Sequence, residues 1–467
     1  MAVTADRALQ LCRVLKGLDS RPDLQLKDYL DSIPKLDSLA DVPSGTPVLV
    51  RGDVDAKVGA NVGEGDVRLR SMVETLNYGK AKGWKQVLFG HLGRKEKDKP
   101  IGSLAKVAAR LGQLLNCEVP LIKDWVDEAT GEVKPEVKAQ ITAAPAGSVI
   151  VLENVRAYDI ETILWKAKEA DLPAAAEKLT KFANSLAANV AKVYVNEALS
   201  AGSLDASSTV VPLAMDRVAL GKYTANEFES QMLDCLKAKL VVFSGIKIDK
   251  LDDLDAMIAR GALTHIFSAG SLAMALKKGM AQLDGGDFHL GESENPANEK
   301  AAFYIPPERV AQAKRMIDAG RRLGIQFTLP CDFVLADGKA VDTLGPGAQQ
   351  FDVGPKTIEL FSKKVDEFIA SVKGREKDTV VFHNGVFGMF EKPEYEAGTK
   401  AFIGLLKRMT DAGLKVYVGG GEGGTALEKY GKPDWVTHCF TAGGTVLNAL
   451  GSEPVPYLVA LRTAAGK

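Results

Sequence analysis

Charged and amide side chains follow four strand-like runs in the N-terminal half of the chain. In chain order they are Arg51, Asp53 and Asp55, then His91 and Arg94, then Glu153, Asn154 and Arg156, and then Asn196 and Glu197. Ligands of parallel α/β sheets bind at the carboxyl ends of the strands. An arginine fork matches carboxylate and phosphate groups. The pattern therefore predicts a polar cleft for a small anionic substrate, with structural ion pairs or helix caps as the alternative.

The strand-like runs of the C-terminal half end in glycine-rich loops instead. The loops are SGIKIDK (244–250), SAGS (268–271), HNGVFGMFE (383–391), GGGEGGT (419–425) and TAGGT (441–445). Glycine lets the backbone approach a ligand, and helix N-termini offer N–H groups to phosphate. Lys247 and Lys250 could neutralise phosphate charge, and Glu391 and Glu422 could bind a ribose or a metal ion. We therefore predict a nucleotide site in this half.

One of these loops has the spacing of a dinucleotide fingerprint. Gly419, Gly421 and Gly424 spell G-x-G-x-x-G between an apolar run and a helix-like run. That fingerprint needs an acidic residue about 20 positions further on for the ribose, and only 441–444, TAGG, stands there. A Walker A loop needs a lysine directly after its last glycine, which is also missing. The sequence therefore favours a phosphate-facing turn at this loop over a dinucleotide fingerprint or a Walker A loop.

The elements that must position these side chains alternate along the whole chain. Apolar β-rich runs are separated by amphipathic helical runs, as in a parallel sheet with helices on both faces. The predicted strands are 46–54, 85–93, 147–156, 191–199, 239–247, 263–271, 326–337, 378–387, 414–421 and 436–444. We predict an α/β fold of two doubly wound, Rossmann-like domains joined by a hinge helix within 205–235. The predicted boundaries are 1–215, 216–450 and a C-terminal tail, 451–467, that packs back on the first domain.

Composition excludes several classes of protein. The 467 residues are 46% apolar and 25% charged, as in ordinary globular proteins, and the net charge of −1 gives no basic field for nucleic acid. Five scattered cysteines without a C-x-x-C pair are typical of reduced thiols rather than of disulfides or a zinc site. Apolar runs are too short for a membrane span. We expect a cytoplasmic protein, with a transit peptide at the helical N-terminus as the weaker alternative.

Taken in order, the motifs resemble those of the phosphoglycerate kinase family. HLGR (91–94) is identical to the family motif, and FDVGPKTI (351–358) and HNGVFGMFE are similar to DIGPKTI and WNGPMGVFE. Further similar segments are VLVRGDVDAKV, VIVLENVR, VNEALSAGSLDASS, SGIKIDKL, GGGEGGTA and TAGGTVLNAL. The resemblance covers nearly the whole chain, and it implies a phosphoglycerate kinase.

The resemblance implies reversible phosphoryl transfer between ATP and the carboxylate of 3-phosphoglycerate, which gives ADP and 1,3-bisphosphoglycerate in a hinge-bending, monomeric enzyme. The N-terminal domain would hold the acid and the C-terminal domain Mg²⁺ with the nucleotide. The implied catalytic residues are Arg68 and Lys247. The implied substrate residues are Asp53, Asp55, Arg68, His91, Leu92, Gly93, Arg94 and Arg156. The implied nucleotide residues are Lys250, Gly270, Asn384, Glu391, Gly420, Gly421, Glu422, Gly423, Gly443 and Gly444, with Glu422 also as the metal ligand.

The chain departs from the family pattern most strongly at 202–206. The family's AHRAH is GSLDA here, so Leu204 stands where an arginine grips the substrate phosphate. Lys95, Lys97 and Lys99 are candidates to replace that charge, although a solvated loop is the simpler role for them. Three interpretations follow: a working phosphoglycerate kinase, a kinase for another carboxylate or with weakened phosphate recognition, and a catalytically silent binding or regulatory relative.

Overall fold

The computed structural model describes residues 2–95, 100–451 and 454–466. The chain divides into two compact units, the first running to Ser230 and including the residues from Pro454 onward, and the second beginning at Gln231. The division lies inside the predicted connecting segment 205–235, further along the chain than the boundary at 215/216. The two units are described separately.

The first unit contains a six-stranded parallel sheet in the order β3-β6-β2-β1-β7-β8 and a two-stranded antiparallel ribbon, β4-β5. Apolar residues at the centre of β1, such as Val48 and Leu49, are fully buried, as expected for a parallel sheet covered on both faces. The strands are β1 (Pro47–Gly52), β2 (Lys85–Phe89), β3 (Leu121–Ile122), β4 (Val126–Asp127), β5 (Glu132–Val133), β6 (Val149–Leu152), β7 (Val193–Glu197) and β8 (Arg217–Leu220).

The edge strand β8 corrects the prediction for the connecting segment. We predicted a connecting helix within 205–235, but β8 pairs in parallel with β7 in that segment and the helix begins only after Gly221. The short apolar run Val-Ala-Leu has no clear period of its own, so pairing with β7 decides its conformation. The helices of this unit are α1 (Ala5–Leu15), α2 (Leu26–Ser32), α3 (Val67–Ser71), α4 (Val73–Ala81), α5 (Ala105–Leu115), α6 (Pro135–Ala143), α7 (Ile163–Lys166), α8 (Leu172–Asn189) and α9 (Lys222–Asn226).

The second unit contains another six-stranded parallel sheet, in the order β11-β10-β9-β15-β16-β17, and a three-stranded antiparallel sheet, β13-β12-β14. Its core gathers aromatic residues such as Phe267, Phe361 and Phe402. The strands are β9 (Leu240–Phe243), β10 (His265–Ser268), β11 (Gln326–Thr328), β12 (Phe333–Val334), β13 (Ala340–Val341), β14 (Asp352–Val353), β15 (Val380–Asn384), β16 (Lys415–Val418) and β17 (His438–Cys439).

The predicted strand 326–337 is wrong as a single element. It forms β11 in the large sheet and β12 in the small one. Pro330 lies between them and has no N–H to donate to a sheet. The buried carboxylate of Asp332 accepts hydrogen bonds from the N–H groups of Lys356 and Thr357, so this segment is held at the start of a helix instead.

The helices complete both units. A π-helical turn (Glu227–Met232) follows α9 and leads into the second unit. The helices there are α10 (Leu233–Cys235), α11 (Lys250–Ala259), α12 (Gly270–Leu283), α13 (Pro307–Arg322), α14 (Pro355–Ser371), α15 (Ala397–Asp411), α16 (Glu422–Tyr430) and α17 (Gly443–Leu450). The last helix, α18 (Pro456–Ala464), packs within the first unit, where Tyr457 is fully buried against Phe228. None of the described helices has the length and apolarity needed to cross a membrane.

Candidate functional site

A buried arginine pocket lies at the carboxyl edge of the first sheet. Arg51, at the end of β1, is fully buried, and its Nη2 lies 2.8 Å from Nδ1 of His91, which follows β2. Arg156, in the turn after β6, places its guanidinium 4.8 Å from the centre of the Trp165 ring. The carboxylate of Asp205 lies between the two arginines, with its Oδ2 3.6 Å from Arg51 Nη2 and 3.2 Å from Arg156 Nη2. The pocket thus combines two guanidinium groups, an imidazole, an indole and one carboxylate.

The imidazole of His91 is neutral in this pocket. Burial and the charges of neighbouring arginines, Arg51 first, hold the pKa of His91 well below its usual value. Because arginine only donates hydrogen bonds, Nδ1 of His91 is the acceptor toward Arg51. The proton therefore resides on Nε2, which lies 3.9 Å from Oδ2 of Asp55.

Arg68 on α3 lies in the same polar cluster. Its Nη1 donates to Oδ2 of Asp55 at 3.0 Å and lies 3.7 Å from Oδ1 of Asp53. Asp53 is fully buried and accepts hydrogen bonds from the N–H and hydroxyl of Ser200, while its burial raises its pKa. The N–H of Gly93 donates to Oδ1 of Asp55 at 2.9 Å. Strand ends that are distant in sequence thus meet at one edge of the sheet.

Most of the predicted substrate residues lie together in this cluster. Leu92 and Gly93 take part through their backbones, because Leu92 exchanges hydrogen bonds with the side chain of Asn154 and the Gly93 carbonyl accepts from Arg156. Arg94 is exposed, and its charge contributes to the low pKa of His91. Among the lysines proposed as replacements, Lys95 pairs with Asp159 at 2.7 Å, and Lys97 and Lys99 lie outside the described residues.

Two members of the pocket were not predicted. Asp205 and Trp165 contact each other, with the indole Nε1 donating to Oδ1 of Asp205 at 3.0 Å. Trp165 carries no motif, so no sequence signal marks it. Asp205 lies inside the segment 202–206, which departs from the family pattern. That departure is the sequence signal that could have identified Asp205.

A cavity of about 320 Å³ opens at the carboxyl edge of the second sheet. Its walls come from lysines of the SGIKIDK loop and from the glycines that begin α16 and α17. The lining residues that were predicted from sequence are Lys247, Lys250, Asn384, Gly420, Gly421, Glu422, Gly443 and Gly444. Helix N-termini and lysines at a concave surface are a suitable site for phosphate groups.

A second cavity, of about 230 Å³, shares Glu422 with the first. It includes Gly270 at the start of α12, Glu391 and apolar side chains such as Phe351 and Val386. A mainly apolar wall with a few polar groups suits a planar base with its attached sugar. Gly423 lines neither cavity, since it is buried in the first turn of α16.

Lys250 and Glu422 approach each other above Gly245. A Cβ placed on Gly245 would lie 3.3 Å from Nζ of Lys250 and 3.6 Å from Oε2 of Glu422. Lys250 also donates to the Ser244 carbonyl at 3.0 Å. Burial lowers the pKa of Lys250, and the carboxylate of Glu422 partly offsets that shift. A lysine of this kind can release its hydrogen bond to neutralise a phosphate.

The donor set near Glu422 fits a magnesium ion carried by a nucleotide. Mg²⁺ in such sites is bound by one or two carboxylates together with substrate phosphates. Glu422 is exposed at the wall of both cavities, and Asp253 lines the larger one. Burial and the neighbouring Asp252 raise the pKa of Asp253 to about 7. Asp253 was missed from sequence, because the acidic run DDLD is typical of a solvated helix face.

The G-x-G-x-x-G loop forms the tight entry to α16. Gly421 has φ +73°, a backbone conformation that residues with a Cβ rarely adopt, and it immediately precedes the helix. A Cβ on Gly420 would overlap the carbonyl oxygen of Phe440. Gly424 lies inside the helix rather than in the loop. The glycines therefore serve a strand-to-helix turn beside the cavity.

Comparisons with known proteins agree with this geometry. The family model for phosphoglycerate kinase matches residues 39–453. A phosphoglycerate kinase of Eremothecium gossypii is 30% identical over 429 residues, covering 88% of this chain and 94% of the relative. A cytosolic phosphoglycerate kinase of Triticum aestivum is 28% identical and covers 89% and 95% of the two chains.

Solved structures share the fold. The phosphoglycerate kinase of Pyrococcus horikoshii OT3 superposes with a TM-score of 0.69 at 22% identity, covering 93% of this chain and all of that structure. The enzyme of Coxiella burnetii gives a TM-score of 0.65 with the same identity and coverage. The predicted α/β fold with two parallel sheets is confirmed. With a family model that spans most of the sequence, the chain belongs to the phosphoglycerate kinase family.

Proposed function

We propose that this protein is an ATP-dependent phosphotransferase that transfers the γ-phosphoryl group of ATP to the carboxylate of 3-phosphoglycerate, and catalyses the reverse reaction in glycolysis. A carboxylate oxygen of the acid forms the new bond to phosphorus while the bond to the bridging oxygen of ADP breaks, so an acyl phosphate and ADP result. The supporting observation is that the first unit contains an arginine-rich cluster and the second unit contains a cavity lined by lysines and glycines.

The acceptor would bind in the first unit. Asp53 and Asp55 suit the hydroxyl and carboxylate side of the acid, and Arg68 suits the transferring group, because its guanidinium can exchange a carboxylate partner for a phosphoryl oxygen. The 3-phosphate would be held by His91, Arg94 and Arg156, with backbone support from Leu92 and Gly93. Phosphoryl transfer needs positioning and charge neutralisation rather than a covalent nucleophile.

The nucleotide would bind in the second unit. Lys247 is exposed at the cavity wall and suits the moving phosphoryl group, while Lys250 suits the nucleotide phosphates. Gly270 would flank the base, Glu391 would bind the ribose, and Asn384 would contact phosphate. The backbone at Gly420, Gly421, Gly443 and Gly444 would surround the phosphates, and the buried Gly423 would act through the first turn of α16.

Glu422 would be the protein ligand of Mg²⁺, which offsets phosphate charge when it is bound with the nucleotide. The other finer expectations belong to the same proposal: a cytoplasmic monomer that acts on small molecules and not on nucleic acid. The wheat relative is itself named cytosolic.

A coupled assay in the ATP-consuming direction tests the proposal. We expect 3-phosphoglycerate-dependent oxidation of a reporter cofactor when the product is removed enzymatically. Absence of turnover at millimolar substrate, together with normal ATP binding by calorimetry, would exclude the proposed function and leave a nucleotide-binding relative without catalysis.

A further inference from the structure

The arginine pocket of the first unit already contains a negative charge of its own. Asp205 is fully buried, and its two oxygens face Arg156, Arg51, the indole N–H of Trp165 and the ring of His91. Its backbone carbonyl accepts hydrogen bonds from the hydroxyls of Ser208 and Thr209, so the segment that carries it is anchored. The Asp205 carboxylate is therefore a buried and anchored part of the pocket, and not a surface group.

Asp205 offsets one of the two positive charges of this pocket. Arg51 and Arg156 supply two positive charges, His91 is neutral, and Asp205 sits between the two guanidinium groups. Each arginine also donates to neutral acceptors, since Arg51 Nε donates to the hydroxyl of Ser207 and Arg156 Nη1 donates to the Gly93 carbonyl. A phosphate dianion bound against this buried cluster would be repelled by Asp205, because both carry negative charge.

The pocket nevertheless retains features of an anion site. Nε of Arg156 is buried and has no hydrogen-bond partner among the described residues. The nearby Arg94 is exposed, and the segment 202–206 contributes no cation of its own. A group smaller or less charged than phosphate can accept from Arg156 while Asp205 keeps its place.

We propose that Asp205 is a specificity-determining residue that acts as an internal counter-anion, weakens the affinity for an acceptor acid bearing a phosphate dianion at its far end, and favours a small hydroxy acid whose far end is a hydroxyl. The buried carboxylate of Asp205 repels a phosphate dianion and does not repel an uncharged hydroxyl. This inference rests on the proposed function, because it assigns the arginine pocket to the far end of the acceptor acid.

Calorimetric titration of the full-length protein with 3-phosphoglycerate and with D-glycerate tests the inference, since the two acids differ only in the phosphate. For the wild-type protein we expect dissociation constants within about fivefold of each other. In Asp205→Asn and Asp205→Ala, the dissociation constant for 3-phosphoglycerate should fall at least about tenfold, because one charge-assisted contact or more becomes available. The constant for D-glycerate should not fall.

Asp41→Ala is the matched control, because it removes an exposed carboxylate that is ion-paired with Arg217 in the same unit. It should leave both dissociation constants unchanged. Asp205→Asn keeps the shape of the side chain, so it guards against a folding defect in Asp205→Ala, and circular dichroism should report both variants as folded.

Two results would overturn the inference. One is a wild-type protein that binds 3-phosphoglycerate more than about fivefold more tightly than D-glycerate, a result that needs no variant. The other is an unchanged affinity for 3-phosphoglycerate in folded Asp205→Asn. Because binding is measured without ATP, these results are independent of turnover. Absence of turnover in the wild-type protein in the coupled assay would exclude the kinase proposal while leaving the test of Asp205 intact.

Discussion

The two units handle positive charge in different ways. In the first unit, carboxylates lie against the arginines: Asp205 between Arg51 and Arg156, and Asp55 beside Arg68. In the second unit, Lys250 donates to a neutral backbone carbonyl, and the cavity wall combines glycines at helix N-termini with separate carboxylates such as Glu422 and Asp253. When an anion binds to the first site, the arginines must exchange a carboxylate partner for the anion. In the second site, a lysine bound to a neutral carbonyl can turn to an anionic ligand while the carboxylates remain available for a metal ion.

The largest expected effect comes from Arg68. Arg68→Ala removes the guanidinium proposed to act on the transferring group, so kcat/KM should fall at least about a hundredfold in the coupled assay. Arg70→Ala is the control, because Arg70 lies on the same helix but is half exposed and paired with Asp66. Equal losses in both variants would mean that the charge of Arg68 serves the fold and not the chemistry.

Glu422 is the corresponding test in the second unit. Glu422→Ala should lower the Mg²⁺-dependent turnover by about a hundredfold, because one oxygen ligand is lost, while calorimetric binding of 3-phosphoglycerate stays the same. Glu428→Ala removes an exposed carboxylate further along α16 and should keep its turnover. Full activity of Glu422→Ala with undiminished dependence on magnesium would contradict the assignment.

Gly420 tests whether close backbone approach defines the second site. A Cβ at this position would overlap the Phe440 carbonyl, so the loop must shift in Gly420→Ala, and we expect the KM for ATP to rise about thirtyfold. Gly404→Ala is the control, since Gly404 is exposed within α15 and a Cβ there meets no neighbour within 4 Å. An unchanged KM for ATP in Gly420→Ala would mean that the loop does not contact the nucleotide.

A buried histidine of the second unit sets a smaller, pH-dependent effect. Burial, with the charge of Lys250, lowers the pKa of His383 to about 4, whereas an unfolded histidine titrates near 6.5. Between these values the unfolded state binds more protons, so stability falls as the pH drops through this window and is unaffected above it. His383→Gln should remove a slope of up to about 1.4 kcal/mol per pH unit from the free energy of unfolding measured with urea. This slope is a factor of about ten per pH unit in the unfolding equilibrium constant.

The comparison of wild type and His383→Gln contains its own control, because the pH-dependent difference should vanish between pH 7.5 and 8.5. A variant that keeps the full acid-side slope between pH 6.5 and 4 would show that other groups carry it, with His91 in the first unit as the next residue to replace.

Sequence predicts the parts of this molecule that depend on local pattern. The central strands follow from continuous apolar runs, His91 and Lys250 are proposed from motifs that follow strands, and Arg68 is proposed from the family resemblance alone. The edge strand β8 and the division of 326–337 do not follow, because pairing with β7 and the capping of α14 by Asp332 are long-range effects. Asp205 does not follow either, since its partners Arg51, Arg156 and Trp165 come from three other segments and meet only in the fold.

The most direct test of the proposed reaction is to trap its product. Purified protein is incubated with ATP, Mg²⁺ and 3-phosphoglycerate in the presence of hydroxylamine, which converts an acyl phosphate to a hydroxamate. The proposed function predicts hydroxamate and ADP in equal amounts, both dependent on 3-phosphoglycerate and both lost in Arg68→Ala. ADP release without hydroxamate, or neither product while ATP and 3-phosphoglycerate still bind, would contradict it.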